Sequence, residues 1–122
     1  MFDAQGTAHP RGFGLAAHIG VLYDLPTLGM TRRPLFGRAE PPTEADGAMS
    51  DITDRRGRVL GTCVRLRARC EPIFSSPGHR TDIATTLKSV LLKLNCFQSG
   101  YPKPLAFVHE TANRLAHNRT QP

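Results

Sequence analysis

Between Phe13 and Tyr23 apolar residues surround the full circumference of a helix: Phe13, Leu15, Ala16, Ile19, Val21 and Leu22 leave no consistently polar side. A helix of that kind must be covered on more than one face, so it predicts a layered fold with this segment inside. Asp24 and Pro26 end it. The run is also too short to cross a bilayer. The longest uncharged stretch, Gly12 to Tyr23, contains a histidine and falls well below the ~20 apolar residues a span requires.

The segments around the helix supply the other layer. Thr27-Leu28-Gly29-Met30 is short, apolar and β-branched at its start, and reads as a buried strand. Arg32 to Asp46 carries prolines and charges and reads as a loop. From Ser50 the pattern changes to alternation. Ile52 leads to the turn Arg55-Arg56-Gly57, after which Leu60, Thr62, Val64 and Leu66 face one way and Cys63, Arg65 and Arg67 the other. That predicts a hairpin with one buried face. Pro72-Ile73-Phe74 starts a further strand, closed by Ser75-Ser76-Pro77-Gly78. Thr81 and Asp82 suit the first turn of a helix burying Ile83, Leu87, Val90, Leu91 and Leu94, with Gly100 as its stop. A last helix begins near Pro104 and is expected to bury Leu105, Val108, Ala112 and Leu115. The order of helices and strands predicts one domain over residues 1–122, of α/β or α+β arrangement.

Charge and cysteine usage narrow the class. Of 16 basic residues 13 are Arg, against 10 acidic ones, for a net charge of +6. Arg is the better bidentate ligand for phosphate, and a basic surface attracts nucleic acid. Cys63, Cys70 and Cys96 form no C-x-x-C pair and are odd in number, which predicts neither a disulfide framework nor a zinc knuckle. The expected setting is a reducing cytoplasm with the thiols as small core residues. Met1-Phe2-Asp3 lacks the basic and apolar regions of a secretory signal.

Polar groups gather in three places. The loop Asp3 to Gly12, with small residues at Gly6 and Gly12, would let backbone amides approach a ligand. Arg32-Arg33 follows a strand, where cations can point into a cleft. Pro77-Gly78-His79-Arg80 precedes a helix, whose N-terminus favours phosphate. An open sheet could bring Asp3, His9, Arg32 and His79 to one edge.

These residues carry a family resemblance. DAQGTAHPRGFGLAAHIGVLYDLPTLGMTRRPLFG, from Asp3 to Gly37, and SSPGHRTDIATTL, from Ser75 to Leu87, resemble endonuclease V, as does the segment from Gly100 to Pro104 with its following helix. The resemblance implies a ribonuclease H-like fold, a mixed sheet flanked by helices, of which this chain holds the C-terminal portion without the first strands. It implies Mg²⁺-dependent hydrolysis of a phosphodiester near deoxyinosine or inosine, in DNA or RNA, with Mn²⁺ as a substitute ion. Asp3 falls on the family's metal-binding Asp, Arg32 where the family usually has a Lys, and His79 on an active-site His. The segment His9 to Arg11 falls beside the flipped base; Gly6 and Gly12, being small, would permit backbone contacts there, and Arg80 before its helix would add a fixed charge for substrate phosphate.

Physical chemistry agrees with parts of that assignment. Asp3 offers Mg²⁺ the hard oxygen it prefers, whereas His79 suits phosphate or a metal-bound water. Arg32 is permanently protonated and cannot share a proton-transfer role open to Lys. The family's other metal carboxylates have no counterpart in these residues, and one carboxylate rarely retains Mg²⁺. The expectation is an impaired nuclease. The alternatives are a basic module that binds nucleic acid without cutting it, through Arg65, Arg67 and Arg80, or a decayed remnant. An incomplete sheet should also expose an edge to self-association or a partner chain.

Overall fold

The computed structural model describes residues 1–2, 4–84 and 103–120. Four strands form its centre: β1 (Leu28–Thr31), β2 (Ala48–Thr53), β3 (Val59–Arg65) and β4 (Ile73–Pro77), in the order β1-β4-β3-β2 with every neighbour antiparallel. A parallel bridge between Phe2 and Gly29 gives the sheet its mixed character. The Phe2 amide donates to the Leu28 carbonyl at 2.9 Å and the Met30 amide to the Phe2 carbonyl at 3.0 Å. Helix α1 (Leu15–Tyr23) packs against β1, and helix α2 spans Lys103–Thr120. The α/β class therefore matches the expectation. No described helix is long and apolar enough to cross a membrane.

The β2–β3 hairpin forms where the alternation places it, but β3 is not half-solvated. Gly61, Thr62, Cys63 and Val64 are all buried. Cys63 pairs with Phe74 and so shares a face with Ser76, and the Ser76 hydroxyl accepts the Gly6 amide at 2.9 Å. The face the alternation assigns to solvent thus lies under the opening loop. Burial pushes the Cys63 thiol above its ordinary pKa, against the smaller opposing effects of the Ser50 hydrogen bond and the Arg65 charge. A protonated, enclosed thiol is the inert core residue expected.

Three further expectations need correction. Helix α1 buries only Ala16, Ala17 and Gly20, while Leu22 and Tyr23 are 67% and 71% exposed. Small residues seat the helix closely on β1, Ile19 is half-buried, and Leu15, Val21, Leu22 and Tyr23 remain largely exposed. Ser75, Ser76 and Pro77 do not close β4 but belong to it, all buried. The serine hydroxyls find partners there, that of Ser75 donating to the Gly29 carbonyl at 3.2 Å. In α2, Val108, Ala112 and Leu115 are exposed rather than buried. Ile83 and Ala84 begin the helix expected after Asp82, and its continuation to Gly100 lies outside the described residues.

Candidate functional site

The opening loop lies along β1 and then crosses toward β3. Gln5 Nε2 donates to Thr31 Oγ1 at 3.2 Å and to the Arg33 carbonyl at 3.4 Å, and Thr31 Oγ1 donates to the same carbonyl at 2.9 Å. These bonds hold the exposed pair Arg32-Arg33 at the C-terminal end of β1. Asp3 itself lies outside the described residues. Its neighbours do not: Phe2 is hydrogen bonded to β1, and the Gln5 carbonyl accepts the Ala16 amide at 3.0 Å at the start of α1.

Further along, the loop is committed to the sheet. The Gly6 amide is taken by Ser76, the Thr7 amide donates to the Pro77 carbonyl at 2.8 Å, and Thr7 Oγ1 donates to the Leu60 carbonyl at 2.9 Å. The Gly6 amide is therefore used internally, not offered to a ligand. His9 to Gly12 then form a compact turn, with the Gly12 amide donating to the His9 carbonyl at 2.8 Å. His9 Nδ1 accepts the Arg11 amide at 3.1 Å, so in the neutral ring the proton sits on Nε2 and that nitrogen is the available donor. Arg11 and Gly12 are exposed.

His79 and Arg80 occupy the opposite end of β1. Thr27 precedes the strand, and its amide donates to the His79 carbonyl at 2.9 Å, whereas Arg32 follows the strand. About five strand residues at ~3.3 Å each hold Arg32 and His79 roughly 16 Å apart. The gathering of His79 with Arg32 at one edge is therefore not observed. Their separation follows from β4 running antiparallel to β1, which returns the chain to the end where β1 begins.

At that end His79 has a partner the sequence does not suggest. Its Nε2 lies 3.1 Å from Asp24 Oδ1, and Arg80 Nη2 lies 3.0 Å from the same oxygen. Asp24 caps α1 in the left-handed conformation at φ 51°, and Arg80 is left-handed at φ 54°. Asp tolerates this region better than most residues, which is the only local signal for its placement. Thr27 completes the arrangement, with Oγ1 accepting the His79 amide at 2.9 Å and donating to the Ala16 carbonyl at 2.7 Å.

The phosphate set drawn from Arg65, Arg67 and Arg80 also changes. Arg65 Nε donates to the Thr43 carbonyl at 2.8 Å and Nη2 to the Pro42 carbonyl at 3.2 Å, with Nη1 on the Cys70 carbonyl. Its guanidinium fastens the proline-rich loop and is not free for phosphate. Arg67 is exposed beyond the end of β3, at the opposite end of the sheet from Arg80.

The described residues contain no group of three or more His, Cys, Asp or Glu able to hold a metal ion. They do not fit a Mg²⁺ site by themselves, and Asp24, the acid beside His79, is already paired with two basic groups.

Comparison with known proteins identifies the family and the fold. The Endonuclease V family profile matches residues 1–110. Endonuclease V of Kosmotoga olearia is 37% identical over 118 residues, covering 97% of this chain and 51% of that protein. The crystal structure of Endonuclease V from Streptomyces avermitilis superposes with a TM-score of 0.85 at 30% identity, over 98% of this chain and 51% of that one. An Endonuclease V of Ciona intestinalis, solved in complex with a 24mer DNA containing an inosine followed by a ribo-adenosine, shares the fold with a TM-score of 0.67 at 22% identity, over 93% of this chain and 52% of that one. The chain spans about half the length of the curated relatives it matches. With its sheet, its opening loop and its family profile in agreement, the chain belongs to the Endonuclease V family.

Proposed function

We propose that the chain forms the nucleic-acid-engaging part of a cytoplasmic DNA-repair endonuclease that hydrolyses a phosphodiester near deoxyinosine in DNA or inosine in RNA. The observation that carries this reading is the family match over residues 1–110, which includes the opening loop fastened to β1 through Gln5 and Phe2. The inosine-containing DNA bound by the Ciona relative supports the substrate class. In this reading Asp3 is a ligand of Mg²⁺, or of Mn²⁺ in its place. Arg32 holds a phosphate at the C-terminal end of β1. His79 and Arg80 meet a different phosphate at the other end, because one phosphate cannot touch both ends of the strand. Gly6 shapes the loop that presents His9, Arg11 and Gly12 to the base.

The ion needs several rigid oxygen ligands, and the described residues contain no group of three or more His, Cys, Asp or Glu that could supply them. We therefore expect the 122-residue chain, incubated with an inosine-containing oligonucleotide and Mg²⁺ or Mn²⁺, to bind it and nick it weakly or not at all. Robust nicking abolished by Asp3→Ala would instead mean that this chain holds a complete catalytic centre.

A surface for another chain belongs to the same proposal. Among the four strands β1 is outermost, covered on its outer side by Phe2 alone among the described residues, and α1 exposes Leu15, Val21, Leu22 and Tyr23 beside it. Sedimentation velocity should show association that grows with concentration and weakens in Leu22→Lys. A monomer at every concentration would remove this surface from the reading.

A further inference from the structure

A cleft of about 470 Å³ lies at the far edge of the sheet, between residues 35–38 and 53–55. Its walls are fixed to each other. The Arg38 amide donates to the Thr53 carbonyl and the Thr53 amide to the Arg38 carbonyl, both at 2.8 Å. Arg38 and Arg55 are exposed at its rim. The acid in the cleft does not offset them, because Asp54 is consumed by its own turn. Its Oδ1 accepts the amides of Arg56 at 2.8 Å and Arg58 at 3.0 Å, and its Oδ2 accepts Arg58 Nε at 2.7 Å. The Asp54 side chain is only 5% exposed. Its burial acts to raise the pKa, yet the hydrogen bonds from Arg58 and Arg56 and the Arg58 charge prevail and hold the carboxyl below its usual range. The two rim guanidiniums make no ion pair among the described residues. The cleft is thus cationic, open and preformed.

Its position gives the charge a use. Thr53 pairs with Val59 at the start of β3, and β3 is antiparallel to β4, so the cleft is at the end of the sheet where β4 finishes in Pro77. Arg80 follows β4 at that end, and Thr7, hydrogen bonded to Leu60, brings the His9–Arg11 turn between them. Across three interstrand spacings of ~4.8 Å, basic groups therefore extend over about 14 Å. That is roughly the rise of four nucleotides along one strand of a duplex, at ~3.4 Å each.

We propose that the cleft binds a phosphodiester of the nucleic-acid strand several nucleotides from the site of chemistry, through the guanidinium groups of Arg38 and Arg55. The proposal rests on the nucleic-acid reading above and adds a contact to it. Two Arg side chains on one phosphate region contribute by releasing counterions, so they act on affinity and its salt dependence and not on base preference.

The test is fluorescence anisotropy with an inosine-containing oligonucleotide and the same oligonucleotide with guanine in place of inosine, titrated over a range of salt. R38A/R55A should raise Kd about tenfold near physiological salt for both, and lower the slope of log Kd against log salt by about 1.4 to 1.8. R38K/R55K should restore most of the slope. R69N/R114A removes the same charge elsewhere, the Asn chosen because Arg69 is left-handed at φ 60°, and should leave the slope within about half a unit of the parent. If R38A/R55A binds as the parent does while the parent remains salt-dependent, the cleft contact is overturned and the nucleic-acid reading stands. An equal loss in R69N/R114A overturns it too, since only net charge would matter. A parent chain that binds with no salt dependence overturns both readings. Matching thermal unfolding of all variants excludes a folding defect as the cause.

Discussion

Gly6→Ala should cost about 3 kcal/mol or more and detach the opening loop from the sheet, while Gly12→Ala, six residues on in the same loop, should cost only about 1 kcal/mol. The two glycines are there for different reasons. A Cβ on Gly6 would overlap the Pro77 carbonyl oxygen, and would sit 2.7 Å from the Pro77 carbonyl carbon and 2.8 Å from the Ser76 oxygen. All three are backbone atoms of β4, a strand paired on both sides, so none can move without opening the sheet. Gly12 has open space around its Cβ position and only its φ of +65° to lose. Urea unfolding separates the cases by midpoint at constant slope. Because the same backbone leads directly to His9 and Arg11, Gly6→Ala should also weaken oligonucleotide binding far more than Gly12→Ala does. Equal midpoint shifts for the two variants would mean that the loop is not seated on β4.

What the sequence discloses is the set of elements. Periodicity places α1 within two residues of its observed start and β1 within one, because local spacing of apolar residues decides both. It does not disclose which apolar residues find cover. Helix α1 presents apolar groups all round, yet the contact with β1 goes to Ala16, Ala17 and Gly20, since small residues allow the closest approach. Sheet order is equally invisible locally. β4 lies between β1 and β3 because Gly29 pairs with Ser76 and Cys63 with Phe74, and those registers join distant segments.

The site shows the same division. Asp24 meets His79 across 55 residues through two left-handed backbone positions, a juxtaposition no spacing rule anticipates. Arg65 reads as a solvated cation from its alternation, but Pro42 and Thr43 belong to an irregular segment whose carbonyls lack strand partners, and the carbonyl of the buried Pro42 needs a donor. A long proline-rich loop beside an arginine-bearing strand is the signal that could have located this contact. The family motifs, by contrast, identify the loop and the PGHR turn directly, because each is contiguous.

Thr27→Val should destabilise the chain by about 2 kcal/mol and loosen the PGHR turn, although the substitution changes almost no volume. Thr27 is 4% exposed and joins three elements. Its hydroxyl accepts the His79 amide and donates to the Ala16 carbonyl in α1, while its backbone carbonyl accepts the Gly78 amide at 2.9 Å and the Thr81 hydroxyl at 2.6 Å. Valine preserves the backbone bonds and removes both hydroxyl bonds. The Ala16 carbonyl retains the helix as a partner, but the His79 amide is left with none, and an unsatisfied donor of that kind costs ~1–3 kcal/mol. Thr27→Ser keeps the hydroxyl and loses one methyl, for about 1 kcal/mol. The ordering Ser milder than Val distinguishes hydrogen bonding from packing, because packing alone would rank them the other way. Amide exchange at His79 should accelerate in the Val variant and stay near the parent rate in the Ser variant once both are corrected for global stability. The consequence for function follows from the same bonds. With the His79 backbone released, its ring and Arg80 no longer share a fixed position on Asp24, so Thr27→Val should weaken oligonucleotide binding beyond what its loss of stability explains, and a Val variant that binds like the parent would show that this end of β1 does not contact the strand.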